Sequence, residues 1–389
     1  MSLILNSQNV FDRLVERGLC VWSDRASAKV EIKPAKNFNL LITLEGDRKL
    51  LVKQERYDRQ GKTAGEFVRE WQVQELLNNF REFASLRYLF PEVLDFDRDN
   101  SILTCNYLDN YLDLGEFYNR ERIYPVDIAA EIGKAIAKIH SFTLNKIEYR
   151  DLLDSNREKQ NVTLHLGAID RLTPEIFGIY PADGLKFLSL YQRYDSLGKA
   201  IASLSSSYQP CCLTHNDLKL NNLLLANDWQ SKISDGINIL RFIDWERNNW
   251  GDPAFDVGSL VSSYIQIWLS SLVVSKDISL EESLRMATTP LELLQPSLSA
   301  LIIAYFQQFP QLLQHQPNFL TKVVQFSGLV LIQQIQAILQ YQKVFNNTGI
   351  CMLQVAKSFL CRPEASISTI FGKSASELTS LAPKEPVLS

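Results

Sequence analysis

Near residue 110 the hydrophobic pattern of the chain passes from mostly strand-like to mainly helical, and that change limits the folds open to it. Between Ser27 and Gln54 apolar residues come in short alternating runs, Lys29-Val30-Glu31-Ile32, Leu40-Leu41-Ile42-Thr43-Leu44 and Leu50-Leu51-Val52-Lys53, with Glu45-Gly46-Asp47 as a turn. Runs this short with a period near two predict an antiparallel meander. From Gly65 to Phe80 the spacing of Phe67, Trp71, Leu76, Leu77 and Phe80 becomes helical. Phe90–Leu94 and Ser101–Leu108 read as two further strands about an Asp97–Asn100 turn. Beyond Tyr111 the pattern is mainly helical, and Ile128–His140, with apolar residues at 128, 132, 135, 136 and 139, predicts a central helix. The expected class is α+β: a small antiparallel-sheet lobe with one helix over 1–107, and a large, mainly helical lobe over 108–371. Residues 372–389 have few large apolar side chains and are expected to form a poorly ordered tail.

Composition narrows the function classes. With 46% hydrophobic and 22% charged residues in 389, the chain has enough apolar material for one large core or two moderate ones. A formal net charge of −4 leaves no surplus cation to neutralise a phosphate backbone, so nucleic-acid binding is disfavoured against a small-molecule or protein partner. Cysteines at 20, 105, 211, 212, 351 and 361 form no Cys-x-x-Cys pair and read as reduced thiols. The first residues lack the basic region and long apolar run of a signal peptide, which fits a cytoplasmic setting. Val257–Ser275 and Val323–Gln342 are uncharged, but serines break the first and glutamines the second, so both read as buried helices and no membrane span is expected.

Chemistry concentrates in three runs. In Leu213-Thr214-His215-Asn216-Asp217-Leu218-Lys219-Leu220-Asn221-Asn222-Leu223, an Asp is followed five residues later by an Asn and preceded by a His two positions back. That is the spacing of a kinase catalytic loop, where a carboxylate orients the acceptor hydroxyl and takes its proton while an amide oxygen holds magnesium against the phosphates. Asp217 and Asn222 fit these roles; alone, the run also fits a polar turn before a strand. Leu240-Arg241-Phe242-Ile243-Asp244-Trp245-Glu246 then places an apolar strand ending in Asp244 one hairpin length downstream, where a second magnesium ligand belongs. Gly251-Asp252-Pro253-Ala254-Phe255-Asp256-Val257-Gly258 reads as a helix start, with Asp252 as N-cap, Pro253 at the first helical position and Asp256 bracing the loop. Trp245 and Trp250 either line an acceptor pocket or pack in the core.

Taken together, His215-Asn216-Asp217-Leu218 to Asn222, Ile243-Asp244-Trp245-Glu246 and Gly251-Asp252-Pro253-Ala254-Phe255-Asp256 resemble the signature of the aminoglycoside phosphotransferases, and the His-Asn-Asp start is also similar to choline and ethanolamine kinases. The resemblance implies a protein-kinase-like two-lobed fold and a phosphotransferase that uses ATP or GTP with Mg2+. By the same resemblance Lys53 on the third strand binds nucleotide phosphates and is held by Glu70, with Glu66 as the competing partner. Asn37, in the glycine-free turn Lys36-Asn37-Phe38-Asn39, would serve the phosphates, and the backbone at Asn106 and Tyr107 would meet the adenine edge. Lys219, two residues after Asp217 as in serine/threonine protein kinases, would stabilise charge on the transferred phosphoryl group. The expected activity is transfer of a γ-phosphoryl group to a hydroxyl of a small molecule. The alternatives are a Ser or Thr hydroxyl of a peptide or protein, and a nucleotide-binding pseudokinase scaffold.

Overall fold

The computed structural model describes residues 3–154, 182–273, 275 and 277–380. The chain divides into two compact units: Met1–Arg120 with Ile147–Asn156 and Asn221–Asn249, and Glu121–Lys146 with Arg157–Leu220 and Trp250–Ser389. A single boundary at residue 107 therefore does not describe the division. The two later segments join the first unit through long-range contacts that no local pattern reveals. Tyr149 packs edge-on against Phe80 and Phe83, and Leu223–Ala226 pairs with Tyr111–Asp113.

In the first unit the expected meander is present. Strands β1 (Lys29–Lys33), β2 (Phe38–Thr43), β3 (Lys49–Gln54), β4 (Val93–Asp97) and β5 (Ile102–Asn106) form one antiparallel sheet in the order β1-β2-β3-β5-β4. Edge strand β1 keeps Lys29, Glu31 and Ile32 exposed, and charges there discourage pairing with another chain. The turn at Glu45–Asp47 uses left-handed backbone at Gly46 (φ 71°). The helix α1 (Val10–Glu16), absent from the sequence reading, lays Val10, Phe11 and Leu14 on one sheet face against Leu40, Ile42, Leu50 and Val52. Side chains alternate across a strand, so Asn39, Leu41, Leu51 and Lys53 belong to the opposite face. There α2 (Glu66–Asn79) contributes Phe67, packed with Leu103 and Cys105 of β5. Lys53 pairs in register with both Leu103 and Asn39. A three-stranded sheet of β6 (Tyr111–Asp113), β7 (Leu223–Ala226) and β8 (Leu240–Phe242) completes this unit.

The second unit is helical. Its core joins α3 (Val126–Thr143), α4 (Pro253–Ser271), α5 (Leu291–Gln308), α6 (Phe319–Gln342) and α7 (Asn347–Cys361). Helix α3 contains the predicted 128–140 segment and buries Ile128, Ile132, Ile136 and Ile139. Pro296, a residue that ordinarily ends or kinks a helix, lies inside α5. A proline in a helix interior costs about 3 kcal/mol. Burial of Leu294, Leu298, Leu301, Ile302 and Tyr305, at about 1.5–3 kcal/mol for each large side chain, outweighs it. Helix α6 is the one described helix long and apolar enough to cross a membrane, and 56% of its most apolar window is buried inside the unit. Residues 372–380, expected to belong to a poorly ordered tail, instead hold α8 (Ala375–Thr379), opened by a Ser374 capping box and anchored by fully buried Leu378. The rest of that tail, 381–389, lies outside the described residues.

Glycines permit the close helix crossings of this unit. A Cβ at Gly133 of α3 would sit 2.2 Å from the Leu301 carbonyl oxygen of α5, and one at Gly258 of α4 would sit 2.8 Å from the Val323 carbonyl of α6. Backbone cannot yield as a side-chain tip can, so Gly133→Ala should cost about 2–3 kcal/mol of stability. Urea unfolding of the variant checks this, and an unchanged midpoint would show that the crossing is looser than described.

Candidate active site

In the first unit, pairing of β7 with β8 sets the two expected magnesium ligands side by side. Leu223 lies opposite Phe242, and the Ile243 N–H donates to the Asn222 carbonyl at 3.0 Å, so Asp244 is the next residue along from Asn222's partner. Asn222 is buried. Asp244 takes left-handed backbone (φ 59°, ψ 56°), which Asp tolerates better than most residues. Trp245 fixes that turn: it is fully buried, its Nε1 donates to the Phe242 carbonyl at 3.0 Å, and its ring lies 4.8 Å from that of Phe90. Of the two roles open to Trp245, the structure selects core packing.

Lys53 donates to Asp244 Oδ1 at 2.6 Å. Its hydrogen-bonding partner is therefore Asp244, not Glu70 or Glu66. Glu70, 1% exposed on α2, acts on Lys53 through its field, and its Oε2 has no hydrogen-bond partner among the described residues. Burial works against the Lys53 charge, but Asp244 and Glu70 outweigh it and raise its pKa well above the ordinary value. The Glu70 carboxyl is pushed up to about 7, chiefly by burial, against the opposing pull of Lys53. Glu66 instead pairs with Lys36, whose nitrogen also lies 3.6 Å from Glu246. Glu246 is raised by burial and by its neighbour Glu66.

The remaining expected nucleotide contacts also belong to this unit. Asn37 is half-buried in the β1–β2 turn. Nearby Asn39, in register with Lys53, has a buried Oδ1 with no hydrogen-bond partner among the described residues, a position that sequence reasoning passed over. The Asn106 and Tyr107 N–H groups donate to the carbonyls of Glu92 and Lys49, both at 2.9 Å. These two donors are committed within the fold, so an adenine edge there would have to meet other backbone atoms.

The second unit carries Asp217 and Lys219 on the loop after the strand Cys212–Thr214. Asp256, fully buried one turn into α4, accepts the N–H groups of His215 at 2.7 Å and Asn216 at 2.9 Å. The bracing role expected of Asp256 is thus present, and it fits the left-handed backbone of Asn216 (φ 59°). Asp256 is itself fixed by His140 Nε2 at 3.3 Å, while His140 Nδ1 contacts the Tyr305 hydroxyl at 2.9 Å. His140 and Tyr305 were not singled out from sequence, because a His and a Tyr on buried helix faces show no partner until the helices pack. Asp252 caps α4 by accepting the Ala254 N–H, accepts the Gln209 N–H, and forms a buried ion pair with Lys322. Lys219 donates to Asp217 Oδ2 at 3.0 Å, and the Asp217 N–H faces His215 Nδ1 at 3.4 Å.

Residues 35–276, more than half of the chain, match the phosphotransferase enzyme family (APH). The chain belongs to this family. It is a phosphotransferase, and the matched span contains Lys53, Glu70, Asp217, Lys219, Asn222 and Asp244. No curated protein matches the sequence. Among solved structures, it resembles a choline/ethanolamine kinase family protein from Mesorhizobium loti, with 14% identity over 94% of this chain and 99% of the other, and a TM-score of 0.43. An aminoglycoside phosphotransferase in a ternary complex with streptomycin and ATP shows 14% identity over 90% of this chain and 99% of the other, with a TM-score of 0.43. A glucosamine kinase shows 11% identity over 91% of this chain and 82% of the other, with a TM-score of 0.48.

The phosphotransferase should report its buried Glu70 through stability. Glu70 keeps its proton up to about pH 7 when folded, whereas an ordinary Glu releases it near 4.5. Between those values the folded chain binds more protons than the unfolded one, so this group's contribution falls as pH rises. Across pH 5 to 7.5 the melting temperature of the wild type should therefore fall relative to that of Glu70→Gln. Parallel melting curves across that range would remove the assignment.

Proposed function

We propose that this phosphotransferase moves the γ-phosphoryl group of ATP, or of GTP, to a hydroxyl of a small-molecule acceptor with the help of Mg2+. The observation that carries the reading is the placement of Asn222 and Asp244 at one end of the β7–β8 ladder, with Lys53 bonded to Asp244. An amide and a carboxylate are hard oxygen donors of the kind magnesium takes. Among the described residues no group of three or more His, Cys, Asp and Glu could hold a metal. Two protein donors suffice, because magnesium usually completes its shell with phosphate oxygens and water. When bound, the ion supplies neutralisation of charge on the β- and γ-phosphates.

The residues of the chain then have separable tasks. Lys53 holds phosphate oxygens, and Asn222 and Asp244 hold the metal. Asp217, five residues before Asn222 on one continuous loop, orients the acceptor hydroxyl and takes its proton as the oxygen bonds to the γ-phosphorus. The bond from that phosphorus to the bridging oxygen breaks, and the nucleoside diphosphate leaves with that electron pair. The Lys219 contact keeps a cation beside the Asp217 carboxylate, suited to charge building on the transferred group. On this reading the enzyme works in the cytoplasm, with its six unpaired cysteines reduced.

Two measurements test the assignment. MgATP should raise the melting temperature much more than ATP with EDTA, since a ligand that binds only the folded state stabilises it. Asp244→Asn, which keeps a residue tolerant of left-handed backbone, should erase the difference, and equal shifts in both buffers for the wild type would remove the metal site. Asp217→Asn keeps shape but not basicity. It should lower turnover by at least about a hundredfold, the lower range of general-base assistance, with MgATP affinity little changed. An acceptor screen over amino alcohols, sugars, aminoglycosides and Ser/Thr peptides supplies the substrate. A wild type that binds MgATP yet phosphorylates nothing in the screen favours the scaffold instead.

A further inference from the structure

Lys36 stands in the β1–β2 turn expected to cover the nucleotide phosphates, and its ammonium reaches two carboxylates on different elements. One is Glu66 in the first turn of α2, and the other is Glu246, two residues past Asp244, at 3.6 Å. Lys53 on Asp244 and buried Glu70 belong to the same charge group, since Glu246 feels Glu66, Lys36, Asp244 and Lys53, and Glu70 feels Lys53, Asp244 and Glu246. Two lysines thus face four carboxyl groups, Glu66, Glu70, Asp244 and Glu246, a net charge of −2 with all four ionised and −1 while Glu70 keeps its proton. A nucleoside triphosphate brings a further three to four negative charges, roughly, of which one magnesium ion cancels two. Binding therefore requires cations to turn toward the ligand.

Lys36 is the group free to do so. Its side chain is 55% exposed on a flexible four-carbon stem, whereas Glu66 and Glu246 are 14% and 15% exposed on a helix and a tight turn. The turn Lys36-Asn37-Phe38-Asn39 has no glycine to let backbone amides wrap a phosphate, so a side-chain cation takes on more of that task. Resting on the nucleotide reading above, we propose that Lys36 is a phosphate-binding residue that exchanges Glu66 and Glu246 for phosphate oxygens when a nucleotide binds.

The bland alternative is a surface staple tying the turn to α2, and the two differ in sign. Loss of either partner of a staple loosens the turn and weakens binding or leaves it unchanged. In an exchange, loss of the lysine weakens binding, but loss of the competing carboxylates strengthens it.

Calorimetric titration of the full chain with MgATP and with adenosine separates them. Lys36→Met should weaken MgATP about tenfold, a size suited to one partly exposed charge-assisted contact, while adenosine affinity stays the same and Lys36→Arg stays within about threefold of wild type. Glu66→Gln combined with Glu246→Gln should tighten MgATP about threefold or more; if that pair melts early, Glu246→Gln alone carries the same sign. Unchanged MgATP affinity in Lys36→Met, equal loss of MgATP and adenosine, or weaker MgATP binding in the glutamine variants each overturns the exchange. A wild type that binds no MgATP overturns the nucleotide reading and this inference together. A wild type that binds it as well as Lys36→Met does removes the Lys36 assignment alone.

Discussion

A lysine placed under a sheet must have an anion beside it, and the first unit is organised around meeting that demand for Lys53. The side-chain alternation of β3 points Lys53 to the face covered by α2, away from the apolar layer built by α1. Its charge survives burial there because Asp244 bonds it and Glu70 adds its field. Removing one member of such a group leaves an uncompensated charge, which is far more costly than never burying the group. The pair thereby ties β3 to the turn after β8. Asp244 remains 38% exposed, so its carboxylate is not walled off from a ligand.

A different solution holds the loop of the second unit. Asp256 spends its two oxygens on two consecutive backbone N–H groups, which fixes the direction in which the chain enters Asn216 and Asp217. The carboxylate is kept in place by His140, and His140 by Tyr305, so that α3, α4 and α5 all bear on one loop. The near contact of α3 and α5 at Gly133 belongs to the same arrangement, since Leu301 and Tyr305 are the residues met there. Buried polar groups satisfied this completely specify one packing of helices that apolar contacts alone leave loosely determined.

Sequence by itself determined the α+β class, the five strands of the first sheet with their helix, and the motif spacing that singles out Asp217, Asn222 and Asp244, because periodicity and motif spacing are local properties of the chain. Asp252 as a helix cap and Asp256 as a brace were legible for the same reason. Tertiary structure alone decided which carboxylate bonds Lys53, that Trp245 is core, that Asn106 and Tyr107 have committed their N–H groups, that residues 147–156 and 221–249 join the first unit, and that α5 runs through Pro296. Each of these depends on contacts between residues far apart in sequence, where burial and pairing energies override the local preferences that a sequence displays.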